Sequence, residues 1–134
     1  LFRENPYTDM HELVKNDRIA RLLGITLEGC GRGWAKTSMV VKEDALNAYD
    51  ATHGAALYAL SDVAFAVACN SHGQKAVALN VTIHYRRPVG VGVRLYAEAR
   101  EESRGRTTGL YRIRVTDEEG RLVAVADGLA YISG

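Results

Sequence analysis

The feature that most constrains this chain is the stretch from Thr52 to Ser71, where alanine, leucine, valine and phenylalanine follow one another with no proline and no glycine after Gly54. So many strong helix formers predict a helix of about five turns. Its residues are apolar nearly all round, and a helix of that kind is buried on all sides. His72-Gly73 supplies residue types that favour a helix C-terminus.

Beyond this helix the pattern alternates. Leu79, Val81, Ile83 and Tyr85 fall on one face of a strand and Asn80, Thr82, His84 and Arg86 on the other, until Pro88 and Gly90 end it. Val93, Leu95, Ala97 and Ala99 repeat the pattern. A third strand, Thr107 to Thr116, turns Tyr111, Ile113 and Val115 inward and Arg112 and Arg114 outward. A fourth runs from Leu122 to Ile132. Short turns at Arg104-Gly105 and Glu119-Gly120 imply antiparallel neighbours and a meander following the helix. Upstream, Thr8-Asp9 caps a helix from about Met10 to Leu22, with Leu13, Ile19, Leu22 and Leu23 as its apolar stripe and Gly24 as its stop. Ile25–Glu28 and Trp34–Val41 read as a hairpin around the turn Gly29 to Gly33. No Lys-Ser/Thr follows those glycines, so they form no phosphate loop.

One apolar helix and a long antiparallel sheet with one apolar face imply an α+β fold in which the sheet curls around the helix. A chain of 134 residues has one core and too little sheet to cover the whole helix, so a second copy is the economical cover and a homodimer is expected. The 17 Lys plus Arg against 16 Asp plus Glu give a net charge of +1, which offers no electrostatic footprint for nucleic acid and no basic patch for a membrane. Cys30 and Cys69 stand in no disulfide or zinc spacing and are expected as buried free thiols. Acidic residues throughout Leu1 to Ala20 exclude the pattern of a secretory signal. His53 and Asp62 interrupt the longest candidate membrane span, Ala51 to Asn70. A cytoplasmic location is expected.

Asp62 is the anomaly in the helix. An ionised carboxylate among apolar groups costs several kcal/mol unless it is paired. Asp62 either bonds a neighbouring backbone or Arg group for structure alone, or serves as a base or nucleophile in a cleft. The helix start favours the second reading. Asn47, Thr52, His53 and Gly54 crowd there, and first-turn N–H groups lack intrahelical partners, so they and the positive end of the helix dipole suit a developing oxyanion. Gly54 adds no side chain to hold a carbonyl away. Yet Gly54 and Asp62 are eight residues apart, ~12 Å of helical rise, and reacting groups must approach within ~3.5 Å. If both act on one carbonyl, they belong to different subunits.

The stretch from Ala45 through Asn47, His53-Gly54 and Leu60-Ser61-Asp62 to Asn70, followed by Ala78 to Pro88 and Gly90, resembles the phenylacetate-degradation type of hotdog acyl-CoA thioesterase from about Leu22 to the C-terminus. The resemblance implies a single hotdog thioesterase domain over 1–134, with 1–22 as an N-terminal helical extension and a curved antiparallel sheet wrapped around one long central helix. It implies Asp62 as the carboxylate that activates water or attacks the thioester, the Gly54 N–H as the carbonyl's donor, and Asn47 as the group that orients substrate or water. His53 matches the motif histidine and is read as shaping the junction. Two departures stand out: Ala55 follows Gly54 where a second glycine is common, and Ser61 precedes Asp62 in place of alanine. Related enzymes also place a serine on the strand after the helix; Ala78 holds that position here, which leaves Asn80 or Thr82 to substitute.

The implied substrate is an acyl-CoA thioester: phenylacetyl, hydroxyphenylacetyl or medium-chain. Arg86, Arg87, Arg104 and Arg106, at strand ends and turns, could meet its phosphates. The implied partner is a second copy, with the dimers paired into a homotetramer. Coenzyme A enters as part of the substrate, and neither a metal nor an organic cofactor is expected. His11, His72 and His84 are scattered and read as surface or capping residues. Two rivals remain: a hotdog enoyl-CoA hydratase or dehydratase with His53 and Asp62 as its acid/base pair, and a non-catalytic acyl-CoA-binding sensor.

Overall fold

The computed structural model describes residues 5–133; residues 1–4, the start of the expected extension, lie outside them. Helices α1 (Met10–Lys15) and α2 (Arg18–Leu23) lead into strands β1 (Thr26–Gly31) and β2 (Trp34–Val40). A 3-10 turn at Glu43–Ala45 precedes helix α3 (Gly54–Asn70), and β3 (Ala76–Tyr85), β4 (Arg94–Arg104), β5 (Thr108–Thr116) and β6 (Leu122–Ile132) follow. The six strands form one antiparallel sheet in the order β1-β2-β4-β5-β6-β3. This is the hotdog arrangement of a sheet wrapped around one long helix.

The inward faces of β4 and β5 are as the alternation predicts. Leu95, Ala97, Ala99, Tyr111, Ile113 and Val115 are all fully buried, and cross-strand partners such as Ala99 and Ile113 share one face. α3 lies on this floor, anchored by the Thr37 hydroxyl, which donates to Leu60 O at 3.0 Å. Ser61 is buried and donates to Leu57 O, so its hydroxyl is spent on its own helix.

Several expectations need correction. The single helix from Met10 to Leu22 is two helices. Asn16 bonds back to Glu12 O, and Asp17 adopts an extended conformation and caps α2 through Ala20 N–H; such short polar side chains offer the backbone an alternative to helix. In consequence Ala20, not Ile19 or Leu22, enters the core, and Ile19 and Leu22 stay 55% and 72% exposed. The meander holds only for β4-β5-β6. β3 pairs with β6 at the far edge, because the long Arg86–Val93 connection has no tight turn and is fastened elsewhere: Thr52 N–H and Oγ1 both donate to Val89 O, and Gly92 N–H donates to Val41 O. That fastening delivers β4 beside β2. Finally, the β1–β2 turn is confined to Arg32-Gly33, with β1 running through the earlier glycines and Gly33 at φ +70°. Cys30 is half-buried rather than buried, and both cysteines are free.

α3 is not covered all round within one chain. Ala55, Tyr58, Ala59, Asp62 and Ala66 form an open stripe along it. Edge strand β3 likewise leaves Val77, Leu79 and Tyr85 exposed. Leu79, expected inward, is displaced by a bulge between Ala78 and Asn80, and an extra residue of this kind drops out of the alternation.

Phe65 marks the tightest point of the core. Its ring lies 5.5 Å from that of Tyr111 and fills the space above Gly128, where an added Cβ would stand 2.8 Å from Phe65 Cζ. Gly128→Ala should therefore destabilise the fold by ~1–3 kcal/mol through overpacking. Urea unfolding checks this, with Phe65→Leu in the same chain expected to recover part of the loss.

Candidate active site

The start of α3 is built by its own sequence. The imidazole of His53 caps the helix, its Nδ1 accepting from Ala55 N–H at 2.9 Å, while Ala56 and Leu57 N–H both donate to His53 O. Three of the first-turn donors are thereby occupied. Gly54 N–H has no partner among the described residues, and it is the donor left facing outward with the helix dipole behind it. With Nδ1 accepting, the proton of neutral His53 sits on Nε2.

Asn47 is fixed beside this donor. Its Oδ1 accepts from Tyr49 N–H and Ala51 N–H, a loop in which Asp50 adopts φ +61°. Those bonds identify the oxygen and turn the Nδ2 amide outward. Asn47, Gly54, Leu57, Tyr85, Arg86 and Arg87 line one cavity of about 340 Å³. The Arg86–Pro88 segment reaches it because the fastened β3–β4 connection passes under the helix start.

Tyr85 is the member that the sequence did not reveal. Its hydroxyl donates to Gly54 O at 3.1 Å, and its ring lies close against the glycine, so that an added Cβ on Gly54 would stand 3.0 Å from Cζ. Close approach of a neighbouring aromatic ring is therefore one reason for glycine at 54. The alternation of β3 put Tyr85 on the helix-facing side but could not say which helical residue it would meet.

Asp62 lies elsewhere, half-buried on the open stripe of α3. It lines a separate cavity of about 310 Å³ with Asp17, Ile19, Tyr58 and Val63. Burial pushes its carboxyl above the usual carboxylate range, and the negative charge of Asp17 adds to the rise. Tyr58, one turn earlier, is raised first by burial and then by the Asp62 charge. No salt bridge to Asp62 is found among the described residues, so a basic partner does not explain its place. Cys69, nearer the helix end, is pushed up to about 12 by burial, which makes it an inert thiol.

The remaining expected residues divide. Asn80 and Thr82 bond each other at 3.3 Å, and their partners Leu129 and Asp127 place them on the sheet face away from α3. Arg86 and Arg87 border the Gly54 cavity, whereas Arg104 and Arg106 do not. β4 starts near that cavity and runs 11 residues, ~35 Å at strand rise, so Arg104 arrives at the other end of α3, where it donates to Gln74 Oε1. The four arginines thus form no single cluster within a chain. Among the described residues, no group of three or more His, Cys, Asp or Glu side chains could hold a metal ion, and no helix is long and apolar enough to cross a membrane.

Comparison with known proteins matches residues 49–124 to the family described as the Thioesterase superfamily. The acyl-coenzyme A thioesterase PaaI of Escherichia coli (strain K12) is 36% identical over 128 residues, which cover 96% of this chain and 91% of that protein. The solved structure of that PaaI, from the phenylacetic acid degradation operon, superposes with a TM-score of 0.89 at 37% identity, over 92% of this chain and 90% of the other. A mutant of the phenylacetic acid degradation protein PaaI from Thermus thermophilus gives 0.83 at 39%, over 86% and 98%. A hypothetical thioesterase protein solved with coenzyme A, from Streptococcus pneumoniae, gives 0.85 at 25%, over 92% and 96%.

The contact between Tyr85 and Gly54 can be measured. Gly54→Ala should force the ring aside and cost ~1 kcal/mol, and Tyr85→Ala in the same chain should remove that cost, giving a coupling of ~0.5 kcal/mol or more in a double-mutant cycle. Additive effects in denaturant titrations would show that the ring does not decide the residue at 54.

Proposed function

This chain belongs to the Thioesterase superfamily and hydrolyses acyl-CoA thioesters, and we propose that Asp62 of one subunit and Gly54 with Asn47 of a second act together on each substrate. What carries this reading is the pairing of one unoccupied first-turn N–H with a half-buried, unpaired carboxylate ~12 Å further along the same helix. One thioester cannot span them within a chain. The open stripe on α3 and the apolar edge of β3 support a homodimer that brings the two helices together, which leaves pairing of dimers into a homotetramer as the next level of assembly.

In the proposed reaction Asp62 takes a proton from water as the oxygen attacks the carbonyl carbon. The oxyanion accepts from Gly54 N–H, collapse of the intermediate breaks the C–S bond, and Asp62 returns its proton to the leaving sulfur, releasing the acid and coenzyme A. A carboxylate whose pKa is raised by burial is the stronger base for this step. Asn47 Nδ2 orients the water or the carbonyl, and His53 holds the helix start in shape. Arg86 and Arg87 meet the phosphates of coenzyme A; any part for Arg104, Arg106, Asn80 or Thr82 comes from another subunit. The reaction uses no metal or organic cofactor. A cytoplasmic setting fits the two free cysteines. Similarity to PaaI favours phenylacetyl and related groups, which a panel of aromatic, short and long acyl-CoA thioesters with free-thiol detection would test.

Asp62→Asn should lower turnover ~100-fold or more with the fold intact; near-normal turnover would return Asp62 to a structural role. Its pH dependence gives a finer check. Activity needs ionised Asp62 and so rises with pH through its pKa, and the Asp17 charge raises that pKa. Asp17→Asn keeps a competent cap for α2 but removes the charge, so the acid limb of kcat/KM should move to lower pH. An unmoved limb would exclude that coupling.

Sharing of the site is tested by mixing. Homodimers of Asp62→Asn and of Gly54→Val should both be inactive. Exchange of subunits between them should restore activity up to about a quarter of wild type for random pairing, because each heterodimer regains one of its two sites. Exchange verified with mass-tagged chains but without recovered thiol release would refute the shared site.

A further inference from the structure

We infer that Tyr58 is a positioning residue of the shared site: it stands where the twofold axis between two α3 helices passes, and its hydroxyl donates a hydrogen bond to the Asp62 carboxylate of the opposite subunit. The inference rests on the reading of Gly54 and Asp62 as two halves of one reaction centre across a dimer. That reading fixes the register of the helix pair. When Gly54 of each antiparallel helix lies opposite Asp62 of the other, the residue midway between them lies opposite its own copy. Four residues from either end, that residue is Tyr58. Positions four apart share a helix face, so Gly54, Tyr58 and Asp62 follow one another along one side of α3.

The lean of the side chain decides which carboxylate the hydroxyl meets. Side chains on a helix tilt toward its N-terminus, so the long Tyr58 side chain reaches back toward Gly54 of its own chain, ~6 Å along the axis. That is the end at which Asp62 of the other subunit arrives. Tyr58 and Asp62 of one chain line the same cavity, yet the Tyr58 hydroxyl has no hydrogen-bond partner among the described residues, and the residue is 37% exposed. Burial, then the Asp62 charge, then nearby Tyr85 raise its phenol, so it remains a protonated donor at neutral pH. Within one chain the titratable groups near Asp62 are Asp17 at the head of α2 and Tyr58 and Cys69 on α3, and none of them donates to it. A donor to the ionised form favours that form. A phenol arriving across the axis therefore holds the half-buried carboxylate ready as a base and fixes the oxygen that takes the proton.

Tyr58→Phe keeps the ring and removes only a partly exposed hydroxyl, so the fold stands. In the homodimer the acid limb of kcat/KM should move up by about one pH unit. Turnover should fall several-fold with KM nearly unchanged, because the hydroxyl touches the base and not the substrate. A packing role alone would leave the limb in place, and an unmoved limb overturns the inference. Subunit mixing then assigns the hydroxyl to a chain. In the pair of Asp62→Asn with Gly54→Val, the one intact site joins Gly54 of the first chain to Asp62 of the second. Tyr58→Phe added to the Asp62→Asn chain should shift the recovered limb, and added to the Gly54→Val chain it should not. The reverse pattern would place the hydrogen bond within one chain and overturn donation across the axis. Verified exchange without recovered activity in the parent pair refutes the shared site and this inference with it; recovered activity with the same limb in both arrangements refutes only the role of Tyr58.

Discussion

Everything in this molecule follows from a helix that has no polar face. α3 must be kept from water, and a single sheet of six strands wraps most but not all of it. The sheet side takes the bulky groups, with Phe65 seated between Tyr111 and the bare backbone of Gly128. The side left over is a stripe of alanines with Tyr58 and one carboxylate in it. Burial enough to raise the pKa of Asp62 and openness enough to admit a substrate are opposing demands. A helix covered on one side by its own sheet, and on the other by something that arrives later, meets both.

The other end of the proposed chemistry depends on how a helix starts. Four N–H groups lack intrahelical acceptors at any α-helix N-terminus, and a protein normally satisfies as many as it can. Here the His53 ring and carbonyl take two of them, and Ala45 O takes the N–H of His53 itself. The donor that remains is on the residue with no side chain, held in place by the Tyr85 hydroxyl on its carbonyl. The histidine next to the glycine is thus a capping residue, and that use of its Nδ1 argues against a general acid or base at this position.

Much of this was legible in the sequence. The extent of α3 follows from its unbroken run of helix formers, and the inward faces of β4 and β5 and the bounds of β6 follow from periodicity, because residues such as Ile113 and Val115 are buried for the reason that makes them alternate. The helix arithmetic separating Gly54 from Asp62 needed no structure at all. What stayed hidden depended on contacts between distant segments or on single-residue slips. The order of strands turns on Val89 O meeting Thr52, a hydrogen bond that no local pattern encodes. The bulge at Leu79 shifts one side chain without disturbing the alternation after it, and Asp17 both begins one helix and ends the reach of another. Tyr85 was placed on the right face, yet its contact with Gly54 spans 31 positions of sequence. Of the site residues named from the sequence, Asn47, Gly54, Arg86 and Arg87 share a cavity; Asp62 has its own, and Arg104 lies at the far end of α3.

That separation is itself informative. A site assembled within one chain would bring its donor and its carboxylate together by folding, and here folding holds them apart on a rigid element of fixed pitch. Sequence variation at loops cannot shorten the interval, since eight residues of helix set it. Only a symmetry operation that lays a second α3 beside the first in the opposite sense can superpose one helix's start on the other's middle, and a twofold axis does so for both pairs at once. The same axis would cover the stripe of Ala55, Ala59 and Ala66, whose small side chains allow close approach. In the proposed dimer the apolar character of the helix and the distance from Gly54 to Asp62 would have one cause: α3 would serve as core on one side and as half of an active site on the other.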